Sequence, residues 1–173
     1  MTERATPNRR ENYAYFQTMT TRWMDNDSYR HMNNTTYYSF FDTIVNQYLI
    51  ECGVLDIDKS DVIGLVPETM CSYFKPLGFP SKVTVGLRVG RLGSSSIRYE
   101  IGLFQNDAND ASAQGHFVHV YVDRASVGQC RFQTGLRMRF PARSFKQERC
   151  HSSRSNRVPK ESFRGVGDET KWL

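Results

Sequence analysis

The stretch RWMDNDSYRHMNNTTYYSFFDTIVNQYL, residues 22–49, changes character halfway along and decides the fold. From Thr35 onward Tyr37, Phe40, Phe41, Ile44, Val45, Tyr48 and Leu49 recur at i, i+3, i+4, i+7, i+8, i+11 and i+12. That spacing lines one face of an α-helix and predicts a long helix with one buried stripe. Gly53, just past Cys52, supplies the residue that a helix C-terminus prefers in the left-handed region. Ahead of the helix, DNDSYRHMNN is rich in turn and N-cap residues and reads as a loop. Ahead of that loop, residues 13–24 (YAYFQTMTTRWM) alternate loosely, with aromatics and threonines, and read as a strand.

Downstream the period falls to two. Strands are expected over 62–76, 82–92, 95–105 and 115–123, separated by turn signals at 76–81, Gly93-Ser94 and the polar 106–114. Within 82–92, Val83, Val85, Leu87 and Val89 share a face, as in a half-buried antiparallel strand. A strand, a long helix and then four closely connected strands make an α+β protein, with one helix laid across a mostly antiparallel sheet. His116 and His119 fall on opposite faces of the last strand because their separation is odd, so they cannot share a ligand.

The net charge of +5 is unevenly placed. Residues 1–126 hold 12 Lys+Arg against 14 Asp+Glu, while residues 127–173 hold 11 against 4. The basicity therefore belongs to the tail and gives the main domain no reason to bind nucleic acid. The expected division is a flexible N-terminus at 1–12, a folded domain at 13–126, and a basic, serine-rich tail at 127–173 too weakly apolar to order itself. No apolar run reaches the ~20 residues of a membrane span, and the N-terminus lacks the apolar core of a secretory signal, so a cytoplasmic location is expected. Cys52, Cys71, Cys130 and Cys150 show no paired spacing and are expected as free thiols. Nucleotide-binding glycine motifs and the nucleophile elbow of serine hydrolases do not occur.

Asp25-Asn26-Asp27, His31, Asn33-Asn34 and Tyr37, with a strand before and a long helix after, resemble the hotdog-fold acyl-CoA thioesterases of the 4-hydroxybenzoyl-CoA thioesterase type. The likeness continues through YFKPLGFPSKVTVGLRVGRLGSSSIRYEIGLF and GHFVHVYVDR, and covers roughly residues 13 to 125. It implies an antiparallel sheet wrapped around one central helix, and homodimers or homotetramers with sites at subunit interfaces. It also implies hydrolysis of an acyl-CoA to free CoA and a carboxylic acid. CoA would then be part of the substrate, with no separate cofactor or metal. After Asp123-Arg124-Ala125-Ser126 the chain departs from the family pattern.

The resemblance makes Asp27 the catalytic carboxylate, as nucleophile or as general base on water, and the backbone N–H of Asn34 the group that polarises the thioester carbonyl. Asp27 could instead simply cap the turn into the helix. Asp25 is expected to hydrogen-bond the loop backbone. His31 is expected to order the loop or touch substrate, and Asn33 to serve as N-cap or substrate contact. Tyr37 belongs to the core stripe, which leaves Tyr38 to line an acyl pocket. Among Lys75, Lys82, Arg88, Arg91 and Arg98, Arg91 together with Ser95 is the expected contact for CoA phosphates. The alternative is a non-catalytic hotdog module that binds acyl-CoA or a protein partner.

Overall fold

The computed structural model of the chain describes residues 5–128. Strand β1 (Tyr15–Thr20) leads through a 3-10 turn (Trp23–Asp25) to helix α1 (Asn34–Glu51). Strands β2 (Val62–Tyr73), β3 (Lys82–Leu92), β4 (Ser96–Gln105) and β5 (Ala113–Asp123) follow. They form a five-stranded sheet in the order β1-β3-β4-β5-β2, antiparallel at every pairing. This is the α+β hotdog arrangement that the sequence predicts.

The helical stripe is buried as its spacing requires. Tyr37, Phe40, Phe41, Ile44, Val45, Tyr48 and Leu49 all pack into one core with Val83, Val85, Leu87 and Val89 of β3, and with Ile97, Tyr99, Ile101 and Leu103 of β4. Removing each such side chain from water stabilises the fold by about 1.5–3 kcal/mol, so the stripe is the strongest local determinant of where α1 lies. The helix ends where expected, with Cys52 at the C-cap and Gly53 at φ 64. Cys52 and Cys71 are free thiols. The other two cysteines and the tail expected to be unordered lie outside the described residues.

The opposite face of the sheet carries a polar cluster beside a small apolar one of Tyr13, Phe104 and Ala111. Glu68, Arg98, His116, Glu100 and Arg88 form a chain of contacts across β2, β5, β4 and β3, with His116 Nε2 2.6 Å from Glu68 and Nδ1 2.9 Å from Arg98. His119, on the inner face, packs against Tyr99, Phe117 and Tyr121. The two histidines therefore face opposite ways, as their spacing requires.

The N-terminal segment differs from expectation. Rather than standing free, residues 6–13 are tied to the 106–114 connection. Arg10 donates from its backbone to Asn109 and from its guanidinium to Asn106 and Ala108, and Ala111 N–H donates to Asn8. The Tyr13 ring lies over Gly102 and Gly86, where a Cβ would come within 3.0 Å of it. Polar composition signals solvation, but these polar groups find backbone partners a hundred residues away, which local composition does not encode.

His119 is 2 % exposed, and burial pushes its imidazole from an ordinary value of 6.5 down to about 4. Below pH 6.5 the unfolded chain takes up a proton that the folded chain refuses until about pH 4. Stability should therefore fall as pH drops through this window. At ~1.4 kcal/mol per pH unit the loss is on the order of 3 kcal/mol. Urea denaturation at several pH values should show this slope in the native chain and a flatter one in His119→Phe. Equal slopes would contradict it.

Candidate active site

The loop between β1 and α1 is ordered from within. Asp25, 3 % exposed, accepts from the Arg22 backbone at 2.6 Å and from its guanidinium at 2.8 Å. The hydrogen bond from Arg22 holds the Asp25 carboxyl below its ordinary range. The Asp25 carbonyl in turn accepts from Asn33 N–H at 2.8 Å, which fixes the residue that starts the helix. The expected structural role of Asp25 is thus what the geometry shows. Asn33 is the N-cap, its Oδ1 accepting from Thr35 N at 3.0 Å and from Thr35 Oγ1 at 2.9 Å. That occupies its side-chain oxygen and favours the capping reading over a substrate contact.

Asp27 sits half-buried in a tight turn. Its Oδ1 accepts from Tyr29 N–H at 2.8 Å and from His31 N–H at 3.2 Å, while its own N–H donates to the His31 carbonyl at 2.8 Å. Arg30 closes the turn with φ 67, the left-handed conformation that lets the chain double back. Asp27 therefore caps a turn, as the plain reading holds, but with one oxygen only. Oδ2 has no hydrogen-bond partner among the described residues. Asp27 meets the backbone of His31 rather than its ring, so His31 orders this loop through its main chain.

Asn34 is the first residue of α1, and its N–H has no acceptor among the described residues. Such N–H groups at a helix start carry the positive end of the helix dipole. A cavity of about 290 Å³ joins these pieces, lined by Asp27, His31, Asn34, Tyr37, Tyr73 and Lys75 among others. A carboxylate, an unpaired backbone N–H and a lysine thus converge on one open cavity.

Not every expected residue is there. Tyr38 is half-buried against Phe41, ring centroids 6.0 Å apart, and does not line this cavity. Tyr37 does, edge-on to Tyr73 at 4.9 Å. The stripe positions both rings near the helix start, and Tyr37 keeps one edge at the cavity while its body is core. Sequence reasoning gives Tyr73 no role, because only the pairing of β2 with β5 brings it beside Tyr37. Arg91 and Ser95 are at the far end of the sheet: β3 runs from Lys82, near the loop, to Arg91, roughly 30 Å at the ~3.3 Å rise of a strand. Within one chain, Lys75 is the cation at the Asp27 cavity and Arg91 is not.

Asp25→Ala leaves the Arg22 backbone N–H without its partner and should cost about 1–3 kcal/mol, whereas Asn33→Ala, which removes only the cap, should cost about 1 kcal/mol. Chemical denaturation of the two variants measures this order. The reverse order would contradict the role given to Asp25.

The family model described as the thioesterase-like superfamily matches residues 21–160. The chain is similar to a protein of Pseudomonas aeruginosa strain PAO1 of known structure, at 48% identity over 82% of this chain and 99% of that one, with a TM-score of 0.77. A second P. aeruginosa protein, provisionally called a thioesterase, is 27% identical over 73% of this chain and 97% of that one, with a TM-score of 0.66. A DHNA-CoA thioesterase from Staphylococcus aureus shares the fold at 19% identity, over 67% of this chain and 78% of that one, with a TM-score of 0.62. No curated protein matches the chain.

Proposed function

The chain belongs to the thioesterase-like superfamily, and from that premise we propose that it hydrolyses acyl-CoA thioesters to free CoA and a carboxylic acid at the Asp27 cavity. The observation that carries this reading is the shared cavity. Among the described residues Asp27 has one oxygen held by the loop and the other without a partner, and it lines the same cavity as Asn34, whose N–H has no acceptor among them. That is a carboxylate beside a place where negative charge on oxygen can be received.

The thioester carbonyl oxygen accepts from Asn34 N–H, and the helix dipole adds to the pull on its electrons. A preorganised donor of this kind typically lowers the barrier by ~3–4 kcal/mol, because it meets charge that grows only in the transition state. Asp27 then acts in one of two ways. As nucleophile it forms a C–O bond to the carbonyl carbon, the C–S bond breaks, CoA leaves as thiolate, and water cleaves the resulting anhydride. As general base it takes a proton from water, which attacks the same carbon and expels the same thiolate. Both routes yield the same products and need no cofactor beyond the CoA of the substrate. Lys75 at the rim is the cation placed to meet the anionic CoA moiety.

Two copies are expected to complete the assembly. Strand β2 is an edge of the sheet and exposes Leu65, Val66 and Met70, each at more than two-fifths of its surface. A long apolar edge with free backbone groups is a pairing surface. Pro67, which has no N–H to give, sits where the β2–β5 register shifts between Leu65 and Glu68. In this reading two chains pair along β2 and continue the sheet, giving a homodimer that could pair again.

Asp27→Asn should lower the rate of thiol release from acyl-CoA by at least about a thousandfold at unchanged circular dichroism. Asn34→Ala, which keeps the main-chain donor, should stay within about tenfold of the native rate. A colorimetric thiol assay over short, long and aromatic acyl-CoAs reads both. Native turnover in Asp27→Asn, or none in the native chain on any of them, would sink the proposal. Leu65→Lys with Val66→Lys should shift the mass measured by light scattering toward the monomer. An unchanged mass would place the interface elsewhere.

A further inference from the structure

At the other end of α1 lies a second cavity, of about 270 Å³, that the proposed hydrolysis does not use. Its walls are Leu49, Val54, Leu55, Ile57 and Val62, and the ring of His119 forms part of its lining. From Asn34 to Asn46 the helix rises about 18 Å, and Phe41, Ile44 and Val45, none of them exposed, fill the space between the two cavities. Within one chain the second cavity is therefore separate from Asp27.

The polar groups around it are mostly committed. Asn46 donates to the carbonyl and carboxylate of Asp42, at 3.0 and 2.9 Å, and Arg124 at the rim donates to the Ile57 carbonyl at 2.8 Å. His119 is different. It is 2 % exposed, its Nδ1 is wholly buried without a hydrogen-bond partner, and neither ring nitrogen has one among the described residues. Gly64 opposite has no side chain, and a Cβ there would come within 2.5 Å of Nδ1, so only glycine leaves the imidazole its place. A polar ring buried without a protein partner is destabilising, and a ligand that bonded to it would offset part of that loss.

We propose that this cavity is a binding site for a compact, uncharged apolar molecule carrying one hydroxyl, an alcohol or phenol whose body fills the apolar walls and whose hydroxyl bonds to a ring nitrogen of His119. The size fits: an apolar protein cavity of about 150 Å³ is known to hold benzene, so this one takes a ring with substituents. The chemistry fits as well, because burial keeps the imidazole neutral at physiological pH, and a neutral imidazole both accepts and donates. A charged ligand would find no buried counter-ion on these walls.

The test uses the full chain in its native assembly, titrated with phenol and with toluene, which matches phenol in shape but lacks the hydroxyl. Binding is read by calorimetry, and the site by amide shifts of residues 54–64 and 119–124 in NMR spectra. Phenol should bind saturably, about tenfold tighter than toluene. His119→Phe should abolish that preference, and His119→Gln, which keeps a donor and an acceptor, should retain it. The proposal is overturned if phenol does not bind saturably, if phenol and toluene bind equally, if the shifts cluster at Asp27 instead, or if His119→Phe keeps the preference. None of these readouts depends on thioester hydrolysis, so the two readings fail separately.

Discussion

Burial of a single stripe of α1 against the inner face of the sheet is the constraint on which the rest depends. Phe41, Ile44 and Val45, all fully buried, fix the helix along its axis and in rotation. Once the helix is fixed, its first residue, Asn34, lines the cavity between the β1–α1 loop and the end of β2. The Asn33 N–H to Asp25 carbonyl bond then pins the loop to the helix start, and the loop carries Asp27 to the cavity. Two neighbouring carboxylates thus do different work because of their surroundings. Asp25 is enclosed by Arg22 and holds the turn, while Asp27 keeps an oxygen without a partner among the described residues.

The elements that rest on local pattern were legible in the sequence. The span of α1, the Gly53 stop, the inward face of β3 and the opposed faces of His116 and His119 all follow from periodicity, and periodicity is a local property. The role of Asp25 was legible for the same reason, since its bonds span only a few residues, whereas for Asn33 the sequence left N-cap and substrate contact equally open. The misreadings concern partners that are distant in sequence. The polar N-terminal segment bonds to residues 106–114, and Tyr37 rather than Tyr38 lines the Asp27 cavity beside Tyr73. No window of sequence shows which distant segments meet or which of two neighbouring rings lines the cavity.

The two ends of α1 present opposite chemistry. At the N-terminus there are a carboxylate, an unpaired backbone donor and a lysine around an open polar cavity, suited to a charged substrate whose charge shifts during reaction. At the C-terminal end there are aliphatic walls and one neutral imidazole, suited to recognition without chemistry. The fully packed helix face between them keeps the two environments apart, so each can be altered without unpacking the other.

The central claim is that Asp27 and the Asn34 N–H act together on one carbonyl. The most direct measurement is a structure of the protein with a ketone analogue of an acyl-CoA, in which a methylene replaces the thioester sulfur and hydrolysis cannot occur. The account predicts the ketone oxygen within hydrogen-bonding distance of Asn34 N–H and the carbonyl carbon facing the free oxygen of Asp27. A bound analogue whose carbonyl lies away from both groups would contradict it.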